Sequence, residues 1–197
     1  MQKNCFSFPL NTESLIKDYV RVYLKELNTK RFHAPAIVLP DYILAELNEE
    51  MTGYGLPNIG SGIAFKRKYY FTPSYKDCHI DYKSTNDTII KTSIVIPIDG
   101  YEDTCMYWYD GDYSTEVVLH TENSGHGYPY LKINWNNPGT LVEQVEIANG
   151  PMLCRVNKPH SATSRKDGTY RLVMTLRFEE NLSVEEIIAR QNLSSIT

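Results

Sequence analysis

Short strand-like runs separated by turn signals fill the stretch from residue 64 to residue 178, and this rhythm constrains the fold more than any other feature. The runs are rich in Ile, Val, Thr and aromatic residues, and the segments between them carry turn residues, as in NDT, DGD, NNPG and KDG. Closely spaced runs with no long helical pattern between them are typical of antiparallel sheets. The stretch therefore predicts a mainly β domain, an antiparallel sandwich or barrel of the jelly-roll kind.

Helical patterns flank this stretch on both sides. NTESLIKDYVRVYLKELN, at residues 11–28, repeats apolar residues every three or four positions, and DYILAELNEEM, at 41–51, predicts a second, shorter helix. Between and after them, RFHAPAIVLP (31–40) predicts a strand and TGYGLPNIGSG (52–62) a loop. We expect the apolar stripe of the first helix to pack on a sheet.

A third helix is expected at about residues 183–193, because Ser183 and Glu186 have the spacing of a capping box. The chain length suits one substantial domain. We therefore expect a single domain over 1–197, with a helical flank at 1–60 and a β core at about 64–178.

Charge and apolar content limit the partners and the location that we expect. The formal charge of −4 gives no electrostatic reason to expect a nucleic acid or an anionic membrane as the main partner. The longest apolar runs are too short to span a membrane, and the amino terminus lacks the apolar segment of a signal peptide. The four cysteines are scattered without a C-x-x-C pair, which predicts reduced thiols. These features favour a cytoplasmic protein.

The segment DCHIDYKS, at residues 77–84, contains a His-x-Asp pair within a predicted strand. Successive side chains of a strand point to opposite faces, so His79 and Asp81 share one face and Ile80 lies behind them. A strand can offer two metal ligands in this way. His-x-Asp alone is a weak motif, and its meaning depends on the rest of the chain.

The segment YRLVMTLRF, at residues 170–178, alternates so that its odd and even positions face opposite sides of a strand. We expect its apolar face, which includes Leu172, to meet the amino-terminal helices. The opposite face carries Arg171 and Thr175 into the sandwich, where a buried arginine suits a carboxylate ligand because its planar fork matches one. Arg165, in the polar turn TSRKDG, and Arg177, expected to face solvent at the strand's end, are the competing cations.

The order of four residues along the chain resembles the 2-oxoglutarate/Fe(II)-dependent oxygenase superfamily, small microbial and phage-encoded members among them. These residues are His79 and Asp81, followed after a long interval by His160 and then Arg171. Two histidines and one carboxylate on a β scaffold form the facial triad of non-haem Fe(II) enzymes. The resemblance covers roughly residues 64–178.

This resemblance implies a double-stranded β-helix, or jelly-roll, core with Fe(II) held by His79, Asp81 and His160. It further implies that 2-oxoglutarate chelates the iron, that Arg171 pairs with its distal carboxylate and that Thr175 assists. The implied reaction uses O2, converts 2-oxoglutarate to succinate and CO2, and oxidises a C–H bond of the substrate, most often by hydroxylation. Candidate substrates are a free amino acid, a peptidyl side chain or another small metabolite, with a nucleobase less favoured.

Two alternatives stay open from the sequence. HTENSGH offers His120, Glu122 and His126 as a tighter cluster, which would suit a cupin-like metal enzyme that does not use 2-oxoglutarate. The second alternative is a jelly-roll module that binds a ligand or a protein without catalysis. The aromatic run at 107–109 could line a pocket or fill the core; because of strand alternation, only Trp108 or its two tyrosine neighbours can look inward.

Overall fold

The protein is described by a computed structural model, which covers residues 3–26, 39–68, 75–118, 129–147, 150–164 and 170–194. Three helices lie in these ranges: α1 (Glu13–Glu26), α2 (Asp41–Gly53) and α3 (Val184–Ser194). The strands there are β1 (Cys5–Ser7), β2 (Ile59–Lys68), β3 (His79–Lys83), β4 (Thr88–Ile89), β5 (Thr92–Asp99), β6 (Thr104–Asp110), β7 (Tyr113–Val118), β8 (Tyr130–Trp135), β9 (Thr140–Glu146), β10 (Met152–Arg155), β11 (His160–Ser164) and β12 (Tyr170–Phe178).

The strands form two antiparallel sheets. The first sheet has the order β1-β10-β5-β12-β2, and the second has the order β7-β8-β3-β11-β6-β9, with β4 paired to β3. The prediction of a mainly β chain with flanking helices is confirmed. The region that the turn signals divide into short runs is the region that forms strands β3 to β12.

The helices cover the outer face of the first sheet. Ile16 of α1 and Leu47 of α2 are fully buried in one apolar cluster with Ile96 of β5 and Met174 of β12. The prediction that the apolar face of residues 170–178 meets the amino-terminal helices is therefore confirmed. Burial of such side chains stabilises the fold by about 1.5–3 kcal/mol each.

A second apolar cluster fills the space between the two sheets. Val95 and Val173 come from the first sheet, and Met106 and Trp108 come from the second. Trp108 is fully buried and donates its indole N–H to the carbonyl oxygen of Arg155 at 2.9 Å. Strand alternation sends the tyrosines on either side of Trp108 to a third cluster on the other face of the second sheet.

The structure corrects several boundaries. β1 falls inside the segment expected to be helical, and β2 begins at Ile59, inside the predicted loop. The strand expected at 31–40 lies almost wholly outside the described residues. The capping box is present, since Glu186 accepts the N–H of Ser183 at 2.7 Å and donates its own N–H to the Ser183 hydroxyl at 3.3 Å.

Candidate metal centre

His79 and Asp81 project from β3 into the space between the sheets, and Ile80 points the other way into the outer cluster. His160 begins β11, the strand next to β3, and lies directly opposite His79 in the register of the two strands. Residues 81 positions apart in the chain are thereby brought side by side. Asp81 and His160 are each only 4% exposed.

The three side chains converge on one point. Oδ1 of Asp81 lies 3.6 Å from Nε2 of His79 and 3.7 Å from Nε2 of His160. One ligand atom from each residue lies within 4.8 Å of the other two, and the histidine ring centroids are 4.5 Å apart. Small rotations of the side chains bring all three atoms within bonding distance of one ion. The sequence-based grouping of these residues is confirmed as a possible metal site.

A hydrogen bond sets the orientation of the His160 ring. Its Nδ1 lies 2.9 Å from the carbonyl oxygen of Lys158, a contact that only a protonated Nδ1 can make. In the neutral ring Nε2 then carries the lone pair, and this is the atom that faces Asp81. Ligating histidines commonly have their second nitrogen held in this way.

Tyr130 also borders the centre. It lies opposite Asp81 in the register of β8 and β3, and its ring meets the ring of His79 edge-on, with centroids 5.8 Å apart. The contact between Tyr130 and His79 depends on the pairing of β8 with β3. The spacing of His79, Asp81 and His160 in the sequence does not reveal this pairing.

Asp81 is held from the opposite side by Arg177. Nη2 of Arg177 donates to Oδ2 of Asp81 at 3.0 Å, and the arginine side chain is only 11% exposed. The expectation that Arg177 faces solvent is wrong, because its side chain points between the sheets and reaches Asp81 on β3. The pairing leaves Oδ1 as the oxygen that faces both histidines.

Arg171 and Thr175 lie on the same face of β12 as Arg177, and each is 8% exposed. Thr175 is two residues from Arg177, a rise of about 7 Å, and Arg171 is six residues away, a rise of about 20 Å. The inward position expected for both side chains is confirmed. The inner face of β12 therefore carries one guanidinium at the metal centre and a second one at the opposite end of the strand.

A cavity of about 550 Å³ lies beside the centre. Its lining includes the polar and charged side chains of Lys83, Thr88, Arg177 and Glu179. Because Arg177 belongs both to the cavity lining and to the pair with Asp81, the cavity and the centre share a wall. This volume is within the range of small-molecule sites.

Several sequence-based candidates lie outside the described residues: His120, Glu122 and His126 of the alternative cluster, and Arg165 of the polar turn. Within the described part of the chain, the one group of three or more His, Cys, Asp or Glu side chains arranged for a metal ion is His79, Asp81 and His160. In the same part, no helix is both long and apolar enough to cross a membrane.

The fold and the site define a class: a mainly β protein of two large antiparallel sheets with flanking helices and a buried His–Asp–His group that could hold a metal ion. No protein-family model and no curated protein matches the chain. The geometry of this centre is therefore the main indication of what the protein does.

Proposed function

We propose that the protein is an Fe(II)- and 2-oxoglutarate-dependent oxygenase that hydroxylates a C–H bond of a small or peptidyl substrate. The observation that carries the proposal is the convergence of two histidine nitrogens and one carboxylate oxygen inside a β sandwich. This donor set is the facial triad typical of non-haem Fe(II) oxygenases, which leaves coordination positions open for a cosubstrate and O2.

The strand order supports a double-stranded β-helix core. β2 pairs with β12, β3 with β11, β5 with β10 and β6 with β9, so that the first of these strands pairs with the last and each inner pair nests within the one before. The nested pairs alternate between the two sheets: β2–β12 and β5–β10 lie in the first sheet, and β3–β11 and β6–β9 lie in the second. An eight-stranded double-sheet jelly roll is built from Greek-key connections of this kind. β1, β4, β7 and β8 are then additions at its edges.

The residues at the centre fit an iron(II) ion. Neutral imidazole and carboxylate are both suitable ligands for Fe(II), and the Lys158 carbonyl selects the His160 tautomer in which Nε2 can bind it. Arg177 holds Oδ2 of Asp81 and so presents Oδ1 to the ion. The arginine also offsets the carboxylate charge inside the sandwich, where an unpaired charge would cost several kcal/mol.

The inner face of β12 fits a dicarboxylate that lies along it. In this proposal Arg171 donates to the carboxylate far from the iron, and the Thr175 hydroxyl donates to the same ligand on its way to the metal. Val173, between them, and Trp108, across the sandwich, keep water away from this path. A guanidinium is the stronger choice for a carboxylate because its fork makes two parallel charge-assisted hydrogen bonds.

Iron and 2-oxoglutarate, when bound, supply the activation of O2, with 2-oxoglutarate converted to succinate and CO2 as the substrate gains an oxygen atom. The task of this chain is to hold the reacting groups together and to exclude water. The cavity that shares Arg177 with the centre is where we expect the substrate. Its mixture of cationic, anionic and hydroxyl side chains favours a polar ligand over a lipid.

Anaerobic titration with Fe(II), with and without 2-oxoglutarate, tests the proposal. We expect a visible charge-transfer band when both are present, succinate formation on admission of O2, and loss of the band in Arg171→Ala at the same 2-oxoglutarate concentration. Arg190→Ala is the matched control, since Arg190 lies on α3 and pairs with Glu180 at 2.9 Å. Iron binding without the band would favour a metal enzyme that does not use 2-oxoglutarate. Failure to bind metal would favour a binding module without catalysis.

A further inference from the structure

We propose that Cys5 and Cys154 form a reversible disulfide when the protein meets a peroxide, which makes the pair a modification site separate from the metal centre. The two residues lie directly opposite each other on β1 and β10, and their Sγ atoms are 3.1 Å apart. Both are buried, and both are free thiols in the structure.

The hydrogen-bond pattern puts the pair at the strand position that suits a disulfide. Arg155 donates its backbone N–H to the carbonyl oxygen of Asn4 at 2.8 Å, and Phe8 donates to the carbonyl oxygen of Pro151 at 2.9 Å, which places both of these opposed positions at hydrogen-bonded sites of the ladder. Bonded and non-bonded pairs alternate along antiparallel strands, so the next pair, Cys5 and Cys154, is non-bonded and its Cα atoms are about 4.5 Å apart. Disulfides span Cα separations of about 4.4–6.8 Å. Bond formation therefore needs only a small approach of the two sulfur atoms.

β1 is a three-residue strand at the edge of the first sheet, and it reaches across to the second sheet. The backbone N–H of Asn4 donates to Oε2 of Glu143 on β9, the edge strand of the second sheet, at 2.7 Å. The guanidinium of Arg155 also holds the carbonyl oxygen of Lys3 through its Nε at 3.0 Å. A bond between Cys5 and Cys154 would fasten the edge strand β1, which adjoins the contact with Glu143, covalently to β10 within the first sheet.

The hydrogen bond with Cys5, together with burial, raises the pKa of the Cys154 thiol well above its usual value. The thiolate of Cys154 is therefore scarce while β1 is in place. Short edge strands open more readily than the core, and opening of β1 would expose both thiols together. Oxidation then depends on the opening of β1, and the disulfide prevents β1 from opening again.

The chemistry balances with a peroxide as the oxidant. The thiolate of one cysteine attacks hydrogen peroxide, the O–O bond breaks, and a sulfenic acid and one water result. The other thiol attacks the sulfenic sulfur, the S–O bond breaks, and the leaving hydroxide takes a proton to become a second water. Two thiols thus lose two electrons to one peroxide. A dithiol reductant restores both thiols by thiol–disulfide exchange.

The remaining cysteines provide an internal comparison. Cys78 and Cys105 lie in the apolar cluster on the outer face of the second sheet, and burial raises the pKa of Cys78 to about 12. Neither lies opposite another cysteine in the strand pairs of the described residues. They should stay reduced under conditions that oxidise Cys5 and Cys154.

The test is peptide mapping of the full-length folded protein after treatment with hydrogen peroxide and alkylation of the remaining thiols. Trypsin releases the four cysteines in four separate peptides, with Cys5 in residues 4–17 and Cys154 in residues 133–155. We expect these two peptides to be linked, with Cys78 and Cys105 alkylated once the protein is unfolded. We also expect Tm to rise by about 5–15 °C on oxidation and to return on reduction, because the crosslink closes a long loop in the unfolded chain.

Cys5→Ser should abolish both the linked peptide and the rise in Tm, and Cys78→Ala should keep both. If Cys5→Ser fails to fold, treatment of the unmodified protein in urea serves as the comparison, since the folded protein should form the link faster than the unfolded one. Absence of the link in folded protein, linkage of other cysteine pairs at the same rate, or an unchanged Tm after linkage would each overturn the proposal. These readouts need neither iron nor 2-oxoglutarate, so they stand apart from the proposed oxygenase activity.

Discussion

Arg177 and Arg171 lie on the same face of β12, six residues apart; Arg171 is buried and Arg177 is largely covered, yet they have different surroundings. Arg177 meets Asp81 at the candidate metal centre. Arg171 lies at the other end of the strand, within electrostatic reach of Cys154, where its charge lowers the pKa of that thiol against the larger effects that raise it. One strand face can thus carry two arginines with different partners. We assign one to orienting a metal ligand and propose the other as the anchor of an anionic cosubstrate.

Removing the carboxylate partner of Arg177 should have the largest effect. Asp81→Ala deletes a proposed metal ligand and leaves the Arg177 guanidinium without that carboxylate inside the sandwich. We expect Fe(II) binding to fall below detection and the free energy of unfolding to fall by about 3–5 kcal/mol, measured by metal titration and urea unfolding. Asp18→Ala, at an exposed position on α1, should change stability by less than about 0.5 kcal/mol.

The double variant Asp81→Ala/Arg177→Met separates the two roles of this pair. It should recover part of the lost stability, because the buried cation is gone, without recovering Fe(II) binding. Recovery of Fe(II) binding would show that Asp81 is not a ligand.

Arg177→Met alone should have an intermediate effect on the metal. The ligands stay, but Oδ2 of Asp81 loses the donor that holds it, and loss of such a supporting hydrogen bond costs about 10–100-fold in metal affinity. Competition with a chelator measures this affinity. Unchanged affinity would mean that Arg177 balances the Asp81 charge without orienting the carboxylate.

Arg171→Ala should distinguish the roles of the two arginines. We expect its Fe(II) affinity to stay within about 2-fold of that of the unmodified protein. 2-Oxoglutarate affinity should fall about 10–150-fold, the equivalent of the 1.5–3 kcal/mol typical of charge-assisted hydrogen bonds. Titration of the visible band with 2-oxoglutarate gives both values. If Arg177→Met weakens 2-oxoglutarate binding and Arg171→Ala does not, the roles of the two arginines are reversed.

The smallest effect should come from a change in the capping box of α3. This helix end lies apart from both arginines, so the change serves as a control for the variants of Arg171 and Arg177. Ser183→Ala should lower the free energy of unfolding by about 1 kcal/mol and leave Fe(II) and 2-oxoglutarate affinity unchanged. Hydrogen bonds from Ser183 lower the pKa of Glu186 below its ordinary value of 4.5. The stability that Glu186 contributes is therefore present above about pH 4.5 and is lost as the pH falls through the lowered pKa. As the pH falls through that window, the free energy of unfolding of Ser183→Ala, measured in urea, should fall less than that of the unmodified protein.

Local patterns in the sequence predict much of this molecule. Alternation along residues 170–178 predicts which side chains meet the helices and which point inward, because a strand has only two faces. The His-x-Asp spacing likewise predicts that His79 and Asp81 act together, and the position of His160 in the chain is consistent with a third ligand.

Features that depend on pairing between distant segments are not written in local patterns. β1 pairs with a strand about 150 residues away, so neither the strand nor the opposition of Cys5 and Cys154 follows from composition or spacing. The Arg177–Asp81 pair joins two sheets in the same way. Alternation along β12 predicts that the Arg177 side chain points inward. How much of that side chain is covered depends on how the two sheets stack, which alternation does not reveal.

The position of the metal is the most direct measurement. Crystals grown or soaked anaerobically with Fe(II) would be examined by anomalous diffraction at the iron edge. We predict one strong peak between Nε2 of His79, Oδ1 of Asp81 and Nε2 of His160. A peak at His120, Glu122 and His126, or binding of iron with no density at the predicted point, would contradict the assignment of this centre.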